Sequence, residues 1–194
     1  SNSSYILYYS FMEAMIVTAI FICGAKNDRE FEMLFRENLS ENYRITYIRD
    51  RSVFQWGSGY ELVAADFDCY GEICTEKPLF LLKKDCVPDF AFPENSMVIA
   101  FSENEKQLTA LKNQPIHPIT CGFGKTDSFS YTSLSDEKIV VSLNREITAL
   151  SGKKMQPLEL PLEIPKGVEL YSVIAFTALR IMLDDFNSEI GELI

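Results

Sequence analysis

The alternation of apolar and polar positions divides this chain into short apolar runs separated by amphipathic or turn-rich stretches. "IVTAIFIC" (16–23) is apolar, β-branched and closed by Gly24, the pattern of a strand buried on both faces. In the following "KNDREFEMLFRENL", Phe31, Leu34, Phe35 and Leu39 recur at helical spacing, with Asn27 or Asp28 placed as N-cap. "YRITYIRD" (43–50) and "ELVAADFDC" (61–69) read as further strands, the second apolar until its acidic end. Between them "RSVFQWGSG" (51–59), rich in glycine and serine, reads as a short connection. "PLFLLKKD" (78–85), "SMVIAFS" (96–102) and "HPITCGF" (117–123) complete the strand-like runs, with a short helix predicted over 104–113. The two prolines of "CVPDFAFPEN" keep that stretch out of a central strand.

Strands alternating with helices predict an α/β fold with a mainly parallel sheet flanked by helices on both faces. Further on the pattern changes. "DSFSYTSL", "KIVVSLN" and "EITALSGKKMQPLELPLEI" alternate polar and apolar residues around turns such as "SGKK", as antiparallel hairpins do. "GVELYSVIAFTALRIMLDDF" (167–186) is apolar nearly all round, which a helix tolerates only when buried. Its stripe Leu170, Val173, Ile174, Leu179 and Leu183 is therefore core. The expected organisation is an apolar extension over 1–14 and a single α/β domain over 15–194.

A chain of 194 residues can bury about 70% of the surface its unfolded form exposes, so no staple is needed. The net charge of −10 repels phosphate backbones and anionic lipid surfaces, and neither nucleic acid nor membrane is expected as a partner. The apolar N-terminal stretch approaches the length of a membrane span, but Glu13 interrupts it and no basic residue precedes it as in a leader peptide. A cytoplasmic protein is expected. Its five cysteines (Cys23, Cys69, Cys74, Cys86, Cys121) form no C-x-x-C pair and read as reduced, buried thiols. With His117 as the one histidine, neither a zinc site nor a nucleophilic triad is expected. Tyr5, Ile6, Leu7, Tyr8, Tyr9 and Phe11 are too apolar to stay in water, and a homodimer contact through this arm is the expected use, with packing in cis as the alternative.

The candidate chemistry begins with a false lead. "CGFGKTDSFS" (121–130) contains Gly124-Lys125-Thr126, the closing triplet of a phosphate-binding loop. That loop needs an earlier glycine where Ile119 stands, and a helix where "DSFSYTSL" predicts a strand. The triplet reads as a turn. The context a phosphate loop requires lies instead at the first strand–helix junction, "IFICGAKNDREFEML". There Gly24 is followed by Ala25, Lys26, Asn27, Asp28 and Arg29, with no second glycine and no Lys-Ser/Thr pair. Asp28 and Glu30 would repel a phosphate.

At this junction the chain resembles the central domain of the Mur ligases, which build the peptidoglycan stem peptide. Those domains open with a strand and a G-T-x-G-K-T-T loop, and "CGAKNDREFEML" occupies that place without the lysine and threonines. "YELVAADFDCYG" is similar to the strand that ends in a magnesium-binding glutamate, with Asp66 at that position. "PENSMVIAFSENEKQLTAL" resembles the family's Asn-x-Asp-Asp strand, and "HPITCGFGKTDSFSYTSL" a later strand and hairpin, which accounts for the triplet. "PLELPLEIPKGVELYSVIAFTAL" is similar to the closing hairpin and apolar helix. The family's aspartate–histidine segment is replaced by "LKKDCVPDFAF". Where its last helix opens with His and Asn, this chain has Glu169, Leu170 and Ser172. Within these 194 residues neither the family's uridine-nucleotide domain nor its amino-acid ligase domain is expected.

The resemblance implies a P-loop or Mur-middle-domain-like fold, and its departures argue against ATP-driven ligation. The combined expectation is a non-catalytic binding or regulatory module with no cofactor, tied to cell-wall metabolism by the resemblance alone. The candidate ligand-binding residues are Gly24, Lys26, Asn27, Asp66 and Asp68, for a small molecule the sequence does not identify. Asp66 and Asp68 are also the one carboxylate pair placed to hold magnesium, against a solvated strand end. Arg44, Arg49 and Arg51 offer an anion strip or a solvated strand edge. An enzyme using the crevice near Gly24 and Asp66, or a structural subunit, are the alternatives.

Overall fold

A computed structural model describes residues 18–187 and 192–193. The arm at 1–14, and with it the expected homodimer contact, lies outside these residues, as do the first two positions of the strand expected from 16. The described part is an α/β unit built on one ten-stranded, mostly parallel mixed sheet and three helices. The first strand, β1 (Thr18–Cys23), is followed by helix α1 (Glu30–Asn38) and then by β2 (Tyr43–Arg49), β3 (Ser52–Trp56), β4 (Tyr60–Phe67), β5 (Leu79–Leu82) and β6 (Ser96–Phe101). Helix α2 (Glu105–Leu111) leads to β7 (Ile116–Cys121), β8 (Phe129–Leu134) and β9 (Lys138–Leu143). A small hairpin, β10 (Ile147–Thr148) with β11 (Lys154–Met155), precedes β12 (Leu158–Glu163) and helix α3 (Leu170–Met182). Short strands β13 (Phe186–Asn187) and β14 (Glu192–Leu193) pair at the end.

The spatial order is β12-β9-β8-β7-β6-β5-β1-β4-β2-β3. Pairing is parallel from β2 through β4, β1, β5, β6 and β7 to β8, and antiparallel at β2/β3, β8/β9 and β9/β12. The expected parallel sheet with hairpins in the later part is therefore present. One stretch differs: 51–59 is not a plain connection, because β3 folds back on β2 and pairs Ile45 with Trp56 and Tyr47 with Phe54. Asp50 supplies the left-handed turn residue with φ 51°. Phe54 and Trp56 then stack with centroids 5.7 Å apart over the end of the sheet.

Side-chain alternation explains why the central strands read as unbroken apolar runs. Ile20 and Ile22, Leu79 and Leu81, and Ile99 and Phe101 point into the larger core, with the buried faces of α1 and α3. Cys23, Phe80, Leu82, Val98 and Ala100 point to the opposite face. Among the described residues the cover there is Leu111 of α2 together with Phe90 and Phe92 from the proline-containing stretch after β5, without the full helical layer expected on both faces. Every residue of α3 from Tyr171 to Met182 is buried, as its all-round apolar sequence requires. Among the described residues no helix is long and apolar enough to cross a membrane.

Candidate functional site

From β1 the chain travels through α1 to β2 on one side of the sheet, whereas β5 begins the run of strands on the other. The carboxyl ends of β1 and β5 therefore flank a topological switch point, where open α/β sheets bind ligands. A cavity of about 430 Å³ opens there. Its walls are the loop before α1, the turn 83–86 after β5, and Glu169 and Ser172 at the start of α3.

The floor of this region is a buried ion pair. Lys83, the first residue past β5, is 1% exposed and turns its side chain beneath the loop that follows β1. Its ammonium donates to Asp66 Oδ1 at 2.8 Å, to the Ala25 carbonyl at 3.0 Å and to the Asp28 carbonyl at 2.8 Å. An ammonium has three donors, and all three are used. The other carboxylate oxygen of Asp66 accepts from the Tyr47 hydroxyl at 2.7 Å. Burial pushes the Asp66 carboxyl above its ordinary pKa, while Lys83 and Tyr47 pull it back towards the ionised form. Burial, and then the charge of Asp66, push the Tyr47 phenol well above the usual tyrosine range, so it remains a donor.

This arrangement inverts the polarity of a phosphate loop. Such a loop turns its N–H groups inward around an anion, whereas here two loop carbonyls face inward around a cation. Gly24 is held at φ +144°, and a Cβ there would lie 2.7 Å from Lys83 Cβ. The glycine thus accommodates the protein's own lysine. The N-cap of α1 is Arg29, which makes no side-chain cap bond, and not Asn27 or Asp28 as expected; Asp28, one residue before it, accepts the Glu30 N–H at Oδ1 at 3.1 Å.

The remaining sequence-predicted residues are distributed around this floor. Lys26 is exposed and sits 3.5 Å from both Asp50 and Asp68, whose carboxylates, Asp68 first, raise its pKa. Asn27 lines the cavity. Asp66 and Asp68 do not converge: the side chain of Asp66 is 2% exposed and that of Asp68 is 49% exposed, and each has its own lysine. Among the described residues no cluster of three or more histidine, cysteine or acidic side chains is placed to hold a metal ion. At the outer rim Lys84 meets Glu169 at 2.6 Å, and Glu30 Oε2 accepts the Glu169 N–H at 3.1 Å. The lining carries three cationic side chains (Arg29, Lys83, Lys84) against four carboxylates (Asp28, Glu30, Asp85, Glu169), a balance that does not favour a polyanion.

Sequence reasoning missed Lys83, Tyr47 and the rim residues Lys84 and Glu169. The one local signal for Lys83 was its place as the first charge after four apolar residues. The expectation of a solvated Arg49 is corrected. Because β3 covers that edge, Arg49 is 9% exposed, pairs with Glu32 at 3.0 Å and lies over the Phe54 ring. Arg44 does remain at the surface, 3.6 Å from Glu61. His117 is exposed on β7. The cysteines also divide: Cys23, Cys86 and Cys121 are buried, whereas Cys69 and Cys74 are exposed, contrary to the expectation that all five are buried.

Gly124-Lys125-Thr126 lies in the turn between β7 and β8, so a strand follows it and not a helix. The Gly124 N–H is taken by Asp127 Oδ2 at 3.1 Å, Asp127 N–H returns to the Gly124 carbonyl at 3.1 Å, and Lys125 is exposed. The amide a phosphate would need is already occupied by a carboxylate of the same turn. No protein-family model matches this chain, and no curated protein sequence matches it.

Proposed function

We propose that this chain is a non-catalytic binding or regulatory module of Mur-ligase-like architecture, whose first strand–helix loop holds an internal cation in place of a nucleotide phosphate. The observation that carries this reading is the Lys83 ammonium, saturated by Asp66 and two inward-facing loop carbonyls. A triphosphate approaching the loop would meet carbonyl oxygens and the carboxylates of Asp28 and Glu30, and Lys83 could reach it only by abandoning a buried Asp66. The link to cell-wall metabolism rests on the resemblance in sequence alone. Calorimetry with Mg-ATP is expected to show no binding at sub-millimolar concentrations. A micromolar dissociation constant that Asp66→Ala abolishes would overturn the proposal.

A small-ligand enzyme is the second reading, favoured by one observation: the cavity beside the plugged loop is open, and Ser172, 4% exposed, lines it. A thermal-shift screen against nucleotides and cell-wall precursors separates the two. A ligand at one hundred times its dissociation constant adds about 2.7 kcal/mol and moves the transition visibly. Turnover of such a ligand would favour the enzyme, and binding without turnover the module.

A further inference from the structure

The cavity wall contains a feature that neither reading uses. Cys23 ends β1 and Cys86 ends the turn after β5, and because these strands are neighbours their sulfurs lie 3.4 Å apart and share a hydrogen bond. A disulfide bond is about 2.05 Å long, so the sulfurs need approach by little more than an ångström. The turn 83–86 lies beyond β5 and is anchored by the Lys83 N–H to the Cys23 carbonyl at 2.8 Å and by Gln107 Nε2 to the Cys86 carbonyl at 2.7 Å, so the approach falls to the two cysteine side chains.

The two thiols are not equivalent. Both pack in the core on the second face of the sheet, but Cys86 also forms part of the cavity wall and is 7% exposed, whereas Cys23 is 1% exposed. Cys86 is also the more acidic. The hydrogen bond shared with Cys23 and the nearby Lys83 ammonium hold it below the usual thiol range against the effect of burial. Cys23 is pushed well above that range by the same hydrogen bond and by its own burial. Cys121 is buried and raised by desolvation, and Cys69 and Cys74 sit at the surface.

We propose that Cys86 and Cys23 form an oxidation-sensitive dithiol at the cavity, in which Cys86 reacts with a hydroperoxide and Cys23 resolves the product to a disulfide. The Cys86 thiolate attacks the outer peroxide oxygen. The O–O bond breaks, the departing oxygen takes a proton to leave as water or an alcohol, and Cys86 becomes a sulfenic acid. The Cys23 sulfur then attacks the Cys86 sulfur. The S–S bond forms, the S–O bond breaks, and the hydroxyl leaves as water with the Cys23 proton. Two thiols lose two electrons in total and the peroxide gains them. The new bond ties the end of β1 to the turn 83–86.

The test is peptide mapping without reduction after the reduced full chain has been treated with hydrogen peroxide and its remaining thiols alkylated. A Cys23–Cys86 linked peptide is expected while Cys121 stays free. Cys86→Ser should abolish the link, and Cys23→Ser should leave a sulfenic acid at Cys86 that dimedone captures. The proposal fails if Cys23 and Cys86 are both recovered as free thiols after Cys69 and Cys74 have oxidised, or if Cys86 is joined to another cysteine. Should a variant lose its cooperative unfolding, the map of the unmodified chain decides alone.

Discussion

Two glycine-containing turns in this molecule divide the properties of a phosphate loop between them. The turn at 122–127 has the letters, Gly-Lys-Thr, but lies between two strands with its Gly124 amide already bound to Asp127. The turn at 24–29 has the location, between a central parallel strand and a helix, but its letters are wrong and its carbonyls face a lysine. The difference shows what makes such a site. Inward-facing amides at a helix start form an anion cradle, and neither a lysine in the wrong context nor the right context with reversed carbonyls forms one. Both turns are internally satisfied, one by a carboxylate and the other by an ammonium.

Lys83, which holds the first-strand turn from beneath, and Lys125, which belongs to the other turn, give the sharpest way to break the comparison. Lys83→Met leaves Asp66 in the core without its cation and strands two loop carbonyls. Removing one partner of a buried pair typically costs about 3–5 kcal/mol, and denaturant unfolding should show a loss of that order. Replacing Asp66 by leucine in the same chain should recover only part of it, because the buried carboxyl is gone but the Ala25 and Asp28 carbonyls and the Tyr47 hydroxyl still lack partners. If Lys83→Met unfolds at the same denaturant midpoint as the parent, the ammonium does not hold the loop, and the contrast between the turns collapses.

The glycines come next. Gly24→Ala forces a side chain into a backbone region that costs about 1–3 kcal/mol by itself, and its Cβ would press on Lys83 Cβ at 2.7 Å. Gly124→Ala meets nothing nearer than Asp127 Oδ2 at 3.5 Å, an ordinary contact. The first should shift the thermal transition clearly downward and the second hardly at all. Equal shifts would mean that Gly24 is not held by the lysine beneath it.

How much of this could be read from the sequence depends on range. The central strands were legible because both of their faces are buried, which leaves an unbroken apolar run in β1, β5 and β6. β3 was not, since Gly57 and its serine neighbours resemble a loop. The alternation that places Phe54 and Trp56 on one face spans only a few residues. Within the site, Gly24 and Asp66 were legible as strand ends. Their meaning was not, because the partner that defines both is Lys83, brought to them only when β4, β1 and β5 lie side by side. Asp68 failed as a companion to Asp66 for a related reason: it lies beyond the last paired residue of β4, so strand periodicity no longer fixes its direction. The cysteine pair was hidden in the same way, since no sequence spacing joins Cys23 to Cys86 before the strands are neighbours.

The smallest expected effect belongs to Lys125, the residue that most suggests a nucleotide. Its side chain is exposed. The backbone of its turn is held independently by Gly124, Asp127 and Asn144, whose amide donates to the Asp127 carbonyl at 3.1 Å. Truncating an exposed side chain away from such bonds changes stability by no more than about 0.5 kcal/mol. Lys125→Ala should therefore match the parent in denaturant unfolding and in the affinity for any ligand the thermal-shift screen identifies. The contrast with Lys83→Met, made on the same protein by the same measurement, tests whether position in the sheet outweighs the local motif. A tenfold loss of affinity for a phosphate-bearing ligand in Lys125→Ala would reverse the assignment of the two turns and restore the triplet as the binding loop.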